Sequence, residues 1–437
     1  MYEENKEARG MTYTGLETYV QQAAFDQTLT RLYGAEGAEK AHSRCMEVME
    51  EFYKIFDRSA EALFSAPGRT EIGGNHTDHQ KGCVLAASVD LDILAAVAPT
   101  QSGIIRVLSQ GYPMIEVDLR ELDPKEEEIN TSAALIRGVA SCMSAMGCDL
   151  RERGLDVYMT STVPKGSGLS SSAAYEVLMG TMLNELFWEG RCTAVELAQI
   201  GQYAENVFFG KPCGLMDQMA SSVGGMVTID FKEKDAKVEA IACDFAAKGY
   251  ALCVVNTGGD HGDLTDDYAA IRKEMEAVAA HFGKHVLREV EPETVESRIG
   301  EVRRACGDRA VLRALHYYDE NARVLEQAAA IRGGDLPAFF DAVNRSGESS
   351  WKLLQNVYAR PTEEQMAMGI ELSRRFLHGD GAQRVHGGGF AGTIQAYVPL
   401  ARLADYKKLM EDAFGAGSCT ALMVRPEGAV MMPMEAE

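Results

Sequence analysis

At 437 residues the chain is long for one core, so two domains sharing a cleft are the first expectation. Its composition, 46% hydrophobic and 25% charged, is that of a soluble globular protein. A net charge of −22 argues against a nucleic-acid partner, since a phosphate backbone would be repelled over most of the surface; a phosphorylated ligand would need local attraction.

The opening "MYEENKEARG" is acidic and polar, unlike a signal peptide. The most apolar long run, "CVLAASVDLDILAAVAP", carries Asp90 and Asp92 and is too interrupted to span a bilayer. The ten cysteines are scattered without a CxxC pair, which suits reduced thiols. A soluble cytoplasmic protein with no membrane partner is expected.

Residues 1–60 read as a mostly helical extension, through "AEKAHSRCMEVMEEFYKIF". From 61 the chain turns strand-rich: "EALFSAPGR", "VLAASVDLDILAAVAP" and "LDVYMTSTVP" are β-type runs punctuated by glycine and proline. Between the first two lies "APGRTEIGGNHTDHQKG", where Arg69, His76, Asp78 and His79 crowd a glycine-rich turn. So many polar side chains cannot be buried without partners, which points to a site; a self-stabilised Asx/His turn reads the same way. A metal centre on His76 and His79 lacks further nearby His or Cys ligands.

The third run leads into "VPKGSGLSSSAAYEV", residues 163–177. Gly166 and Gly168 allow a close backbone approach, and the serines open a helix whose free N–H groups favour an anion. Serine hydroxyls add donors or Mg²⁺ ligands, and Lys165 a nearby cation. A Ser-rich cap after a glycine turn is the plain alternative. This stretch follows neither G-x-x-x-x-G-K-[ST] nor G-x-G-x-x-G.

A helix from about Ser171 to Trp188 follows, with Leu178, Met182, Leu183 and Leu186 on one face. The helix in "TAVELAQIGQYAENVFFG" should bury Leu197, Ile200, Ala204 and Val207. Glu205 near its end and Asp217 in "CGLMDQ" offer two carboxylates for distinct tasks, one for Mg²⁺ and one for proton transfer, although Asp217 alone also reads as a helix cap. After the strand "GMVTIDF" a charged, strand-poor stretch from 232 to 248 marks a boundary between domains at 61–232 and 250–437. The second half opens with the strand "YALCVVNTG", turns helical near 264–282 and 309–331, and ends in "GTIQAYVP" and "CTALMVRP". Gly387, Gly388 and Gly389 precede the first of these two, and their backbone can flank a site or make a tight turn. Strands mixed with helices, without a βαβ rhythm, give an α+β class.

Taken in order, these segments resemble the galactokinase family of the GHMP small-molecule kinases. "GRTEIGGNHTDHQKG" is similar to its sugar motif, "PKGSGLSSSAA" to its phosphate motif, "CGLMDQ" to its catalytic segment and "GGGFAG" to its C-terminal glycine motif. "NTGGDHGDLTDDYAAIR" is similar to the segment ending in a sugar-contacting tyrosine, here Tyr268. The resemblance implies a two-domain GHMP-kinase fold with the active site in the interdomain cleft, and γ-phosphoryl transfer from MgATP to the C1 hydroxyl of a hexose. It implies Asp217 as base with Arg69 beside it. It assigns Lys165, Gly166, Ser167, Gly168, Leu169, Ser170, Ser171 and Ser172 to ATP, and Ser172 with Glu205 to Mg²⁺. Asn75, His76, Asp78, Gly214 and Tyr268 fall to the sugar. The family's usual glutamate before the histidine is Asn75 here. A residue reading C6 without negative charge would tolerate a hexuronic acid such as galacturonate, the alternative to galactose. Asp260 and Ala391 also depart from the family pattern. A non-catalytic sugar sensor on the same fold is a further alternative, but it would be expected to have lost one of these residues.

Overall fold

A computed structural model describes residues 16–432 except 165–167, 212, 234–235, 260–263 and 391. Lys165, Gly166, Ser167, Asp260 and Ala391 therefore lie outside the described residues.

Twelve described strands form two sheets. The first holds β1 (Ala62–Gly73), β2 (Cys83–Thr100), β3 (Ile104–Ser109), β4 (Ile115–Asp118), β5 (Gly154–Ser161), β6 (Met226–Asp230), β7 (Lys237–Ile241) and β12 (Val430–Met432). The second runs β11 (Cys419–Leu422), β8 (Tyr250–Asn256), β10 (Thr393–Pro399) and β9 (Ala382–His386), all antiparallel. Strand β2 is long enough to serve two partners. Its first part pairs with β6 and its second with β5.

Burial follows sequence pattern. Helix α1 (Ala23–Phe56) lays Phe25, Leu29, Leu32, Val48 and Phe52 on Leu63, Leu94, Ala96 and Ala98 of the first sheet. The opposite face is covered by α2 (Ser132–Ala145), α3 (Ser171–Phe187) and α4 (Ala194–Tyr203), so β1, β2 and β5 read as nearly continuous apolar runs. A second core joins the sheets: Leu85 and Val89 of β2 meet Leu252 and Tyr397 of the second sheet and Val324 and Phe339 from helices. Those helices are α7 (Asp308–Gly333) and α8 (Leu336–Ser349). Between α4 and α7 come α5 (Met216–Val223) and α6 (Thr265–His281). Helices α9 (Gln365–Leu377) and α10 (Leu403–Phe414) back the second sheet.

Three details differ from the sequence reading. The stretch after β6 holds β7, whose Lys237-Val-Glu-Ala-Ile alternation suits a sheet edge guarded by charge. Val207 is 48% exposed, because α4 widens into a π-helical turn at Ala204–Phe209 and the apolar period shifts. The last strand, β12, returns from the far end of the chain to pair with β1, since Val430 and Met432 complete the sheet face under α1.

Candidate active site

Strand β1 carries the first functional side chain on a distorted edge. Its register against β2 slips between Pro67 and Arg69 and again between Glu71 and Gly73, and such slips re-aim side chains. Arg69 is thereby turned towards α5. Its Nε donates to Asp217 Oδ1 at 2.6 Å, and a second nitrogen donates to the carbonyl of Gly168. Ser170 Oγ donates to the other oxygen of Asp217. Burial alone would raise the Asp217 carboxyl, but the Arg69 charge, its hydrogen bond and that of Ser170 hold it below the ordinary carboxylate value. One third of the side chain stays open to solvent, 33%, so a ligand can reach it.

Directly above lies the start of α3. Ser170 adopts a left-handed backbone (φ 53°) and makes no side-chain cap, because its hydroxyl is committed to Asp217. The first-turn amides of α3 are thus uncapped by Ser170, and Ser171 and Ser172 are only half-buried. That is the arrangement an anion needs. Leu169 is plugged into the inter-sheet core and contributes its backbone alone: its carbonyl accepts from Arg69 N at 3.0 Å.

Across the site, Asp78 and His76 come from the turn after β1. Asp78 Oδ1 accepts from His79 N at 2.8 Å, and its other oxygen faces Gly214 so closely that a Cβ there would lie 2.0 Å away. Burial pushes the Asp78 carboxyl up and the His76 ring down. His76 Nε2 donates to Gly388 O at 3.0 Å, and Tyr268 Oη donates to Gly389 O at 2.8 Å. Gly388 is packed against the Tyr268 ring, 2.7 Å from where a Cβ would stand. The glycine run thus flanks the site, held by side chains from both halves of the chain.

Glu205 sits in the π-helical turn. Its carboxylate meets Lys211 Nζ at 3.3 Å and accepts from Gln218 Nε2 at 2.9 Å. Among the described residues no group of three His, Cys, Asp or Glu side chains could hold a metal by itself. One carboxylate and one serine hydroxyl beside an anion site fit Mg²⁺, which is commonly held by one or two protein oxygens plus phosphates. Ser172 and Glu205 are the donors that would hold it.

Comparison with known proteins agrees with this geometry. Residues 50–99 match the galactokinase galactose-binding signature, and residues 134–225 match the GHMP kinases N terminal domain. A galactokinase of Streptomyces coelicolor is 32% identical over 379 residues, covering 86% of this chain and 94% of that protein. One from Actinobacillus pleuropneumoniae is 31% identical over 361 residues, covering 82% and 90%. The chain belongs to the galactokinase family. Its fold matches that of Lactococcus lactis galactokinase, solved with galactose, at a TM-score of 0.77 and 22% identity, over 88% of this chain and 99% of that one. The L. major mevalonate kinase, solved with R-mevalonate, also matches, at 0.54 and 16% identity, over 83% and 96%.

One departure from the family motif proves to lie beneath the site. Asn75 is fully buried, and its amide is spent within the protein: Nδ2 donates to Glu71 Oε1 at 2.9 Å and Gly387 O at 2.6 Å, while Oδ1 accepts from Asn356 Nδ2 at 2.7 Å. It has no N–H left for a sugar, so the expectation that Asn75 reads C6 is corrected. The asparagine matches Glu71, which also pairs with Arg384 at 2.8 Å in burial. A glutamate at 75 would face Glu71 as a second buried anion. Arg384, Asn356 and Glu176 are polar residues at or under the site that sequence reasoning passed over.

Proposed function

We propose that this chain is an ATP-dependent sugar 1-kinase that transfers the γ-phosphoryl group to the C1 hydroxyl of galactose. The observation that carries the reading is the Arg69–Asp217–Ser170 contact directly below the uncapped start of α3.

The uncapped amides of α3 and the hydroxyls of Ser171 and Ser172 receive the phosphates. When bound at Ser172 and Glu205, Mg²⁺ would neutralise phosphate charge. Asp217 orients the C1 hydroxyl through the carboxylate edge that Arg69 and Ser170 leave open, and takes its proton as the O–P bond forms and ADP departs. A carboxylate held below its ordinary pKa is a weak base. That suffices where the transition state is loose and the hydroxyl loses its proton late. Arg69 keeps Asp217 ionised and offsets charge on the transferring group. His76, Asp78, Tyr268 and the backbone at Gly214 form the sugar side, Asp78 as the acceptor for sugar hydroxyls.

Galactose leads because the curated relatives are galactokinases and residues 50–99 match the galactose-binding signature. The hexuronic-acid alternative drew in part on Asn75, whose amide is committed elsewhere. No helix among the described residues is long and apolar enough to cross a membrane, and the ten cysteines are unpaired, which suits a reducing cytoplasmic setting. A coupled ADP-release assay over hexoses, amino sugars and uronic acids tests the proposal. Turnover of galactose by the wild-type chain, abolished in Asp217→Asn with galactose binding retained, is the expected result. Full activity in Asp217→Asn would remove the base from the scheme.

A further inference from the structure

Helix α5 presents two polar side chains in its first turn, and they go to different places. Asp217 reaches Arg69 and Ser170, whereas Gln218, fully buried, reaches the opposite way. Its amide nitrogen donates to Glu205 Oε2 and to Glu176 Oε2, each at 2.9 Å. Glu176 is itself fully buried in α3, one helical turn beyond Ser172 and on the same side of the helix. Its second oxygen has no hydrogen-bond partner, nor has Gln218 Oε1. A buried carboxyl left half-satisfied in a helix that starts the anion site has a cost.

We propose that Gln218, anchored on Glu176, is a positioning residue that fixes the Glu205 carboxylate for the divalent cation of the nucleotide. This rests on the reading of Glu205 as the cation's carboxylate. The amide has two N–H bonds, and the two carboxyls use both. Glu205 is therefore held at Oε2 by a neutral donor, while its Oε1 meets the 63% exposed Lys211. An ammonium can swing away when a cation arrives; a buried amide clamped at its far side cannot. The anchor has little slack, because a Cβ on Gly201 would lie 3.1 Å from Gln218 Cγ and 3.3 Å from Glu176 Oε2.

The test is Mn²⁺ titration followed by the electron paramagnetic resonance of the free ion, with a non-hydrolysable ATP analogue present. It is run on Gln218→Met, Glu176→Met, Glu176→Gln and Glu205→Gln, alongside thermal melts and galactose binding. The clamp predicts that Gln218→Met and Glu176→Met each weaken Mn²⁺ binding by about tenfold or more, as loss of an outer partner does. Galactose binding should stay near wild type. Glu176→Gln keeps an acceptor for Gln218 and should retain Mn²⁺ affinity within about threefold. If Gln218→Met melts too low to measure, Gln218→Asn, which withdraws the amide by one methylene, replaces it with the same expectation. Loss of Mn²⁺ binding in Glu205→Gln with none in folded Gln218→Met overturns the clamp alone. Unchanged binding in Glu205→Gln overturns the ligand reading beneath it.

Discussion

Removing the Arg69 guanidinium should change both the rate and its pH dependence. In Arg69→Ala the 2.6 Å bond to Asp217 and the bond to Gly168 O are lost, and Asp217 keeps only Ser170 and the more distant Lys211. Loss of one preorganised charged donor at a reacting centre costs about 3–4 kcal/mol, so kcat should fall about 100- to 1000-fold. The carboxyl also responds. With Arg69 present it titrates below its ordinary 3.8, and without it burial dominates and the value rises above that. The sign for stability follows: in the wild type the ionised Asp217 stabilises the fold above the unfolded carboxylate pKa, and that contribution is lost only as pH falls through the lower folded value. In Arg69→Ala the ionised form costs stability over the same range. Initial rates by coupled ADP release between pH 4.5 and 8 should thus show no Asp217 limb for the wild type and an acid limb displaced upward in the mutant. A mutant with a less than tenfold loss in kcat and a wild-type pH profile would refute the pairing as the basis of the site.

Asn75→Glu places a carboxylate beside Glu71 in full burial and should cost about 3 kcal/mol in urea unfolding while leaving the ratio of galactose to galacturonate rates unchanged; a specificity shift in a stable variant would return position 75 to the sugar. Gly214→Ala inserts a methyl 2.0 Å from Asp78 Oδ2, so KM for the sugar should rise about tenfold or more with KM for ATP spared, and equal effects on both would argue against Asp78 as a sugar acceptor. Arg384→Met strands Glu71 as an unpaired buried anion and should cost about 3–5 kcal/mol by chemical denaturation, against near neutrality for Arg384→Met combined with Glu71→Leu.

The parts of the site that could be read from sequence are those written in local patterns. Glycine and serine at a strand-to-helix junction singled out the start of α3, and local patterns likewise drew attention to Asp217 and the turn bearing Arg69. What joined them was the order of the segments, since Arg69 and Asp217 are 148 positions apart. The orientation of Asn75 was not legible. Its partners Gly387 and Asn356 lie 312 and 281 positions away, and a buried asparagine looks like an exposed one in a string of letters. Glu71 and Arg384 pair across 313 positions for the same reason. The helical period gave α3 correctly but failed at Val207, because a π-helical turn adds a residue that the 3.6 period does not carry.

Charge under the site has a consistent placement. Glu71, Arg384, Glu320, Arg323 and His316 are all buried beneath the turn at 74–80 and the glycine run, and they bond backbone as well as one another. Arg384 donates to Ile72 O, Glu320 Oε1 accepts from Gly74 N at 3.1 Å, and His316 Nε2 donates to Asn75 O at 3.0 Å. Glycines 73, 74 and 387–389 supply close approach but no side chain to fix the loops they form, so ordering them falls to long side chains reaching in from α7 and β9. Burial would raise Glu320, yet its charged neighbours and the hydrogen bond from Ser346 bring it down to about 2, while burial pushes the His316 ring down to about 4. The turn that carries His76 and Asp78 therefore stands on buried ion pairs, Glu71 with Arg384 and Glu320 with Arg323, which fix loops whose glycines have no side chains to fix them.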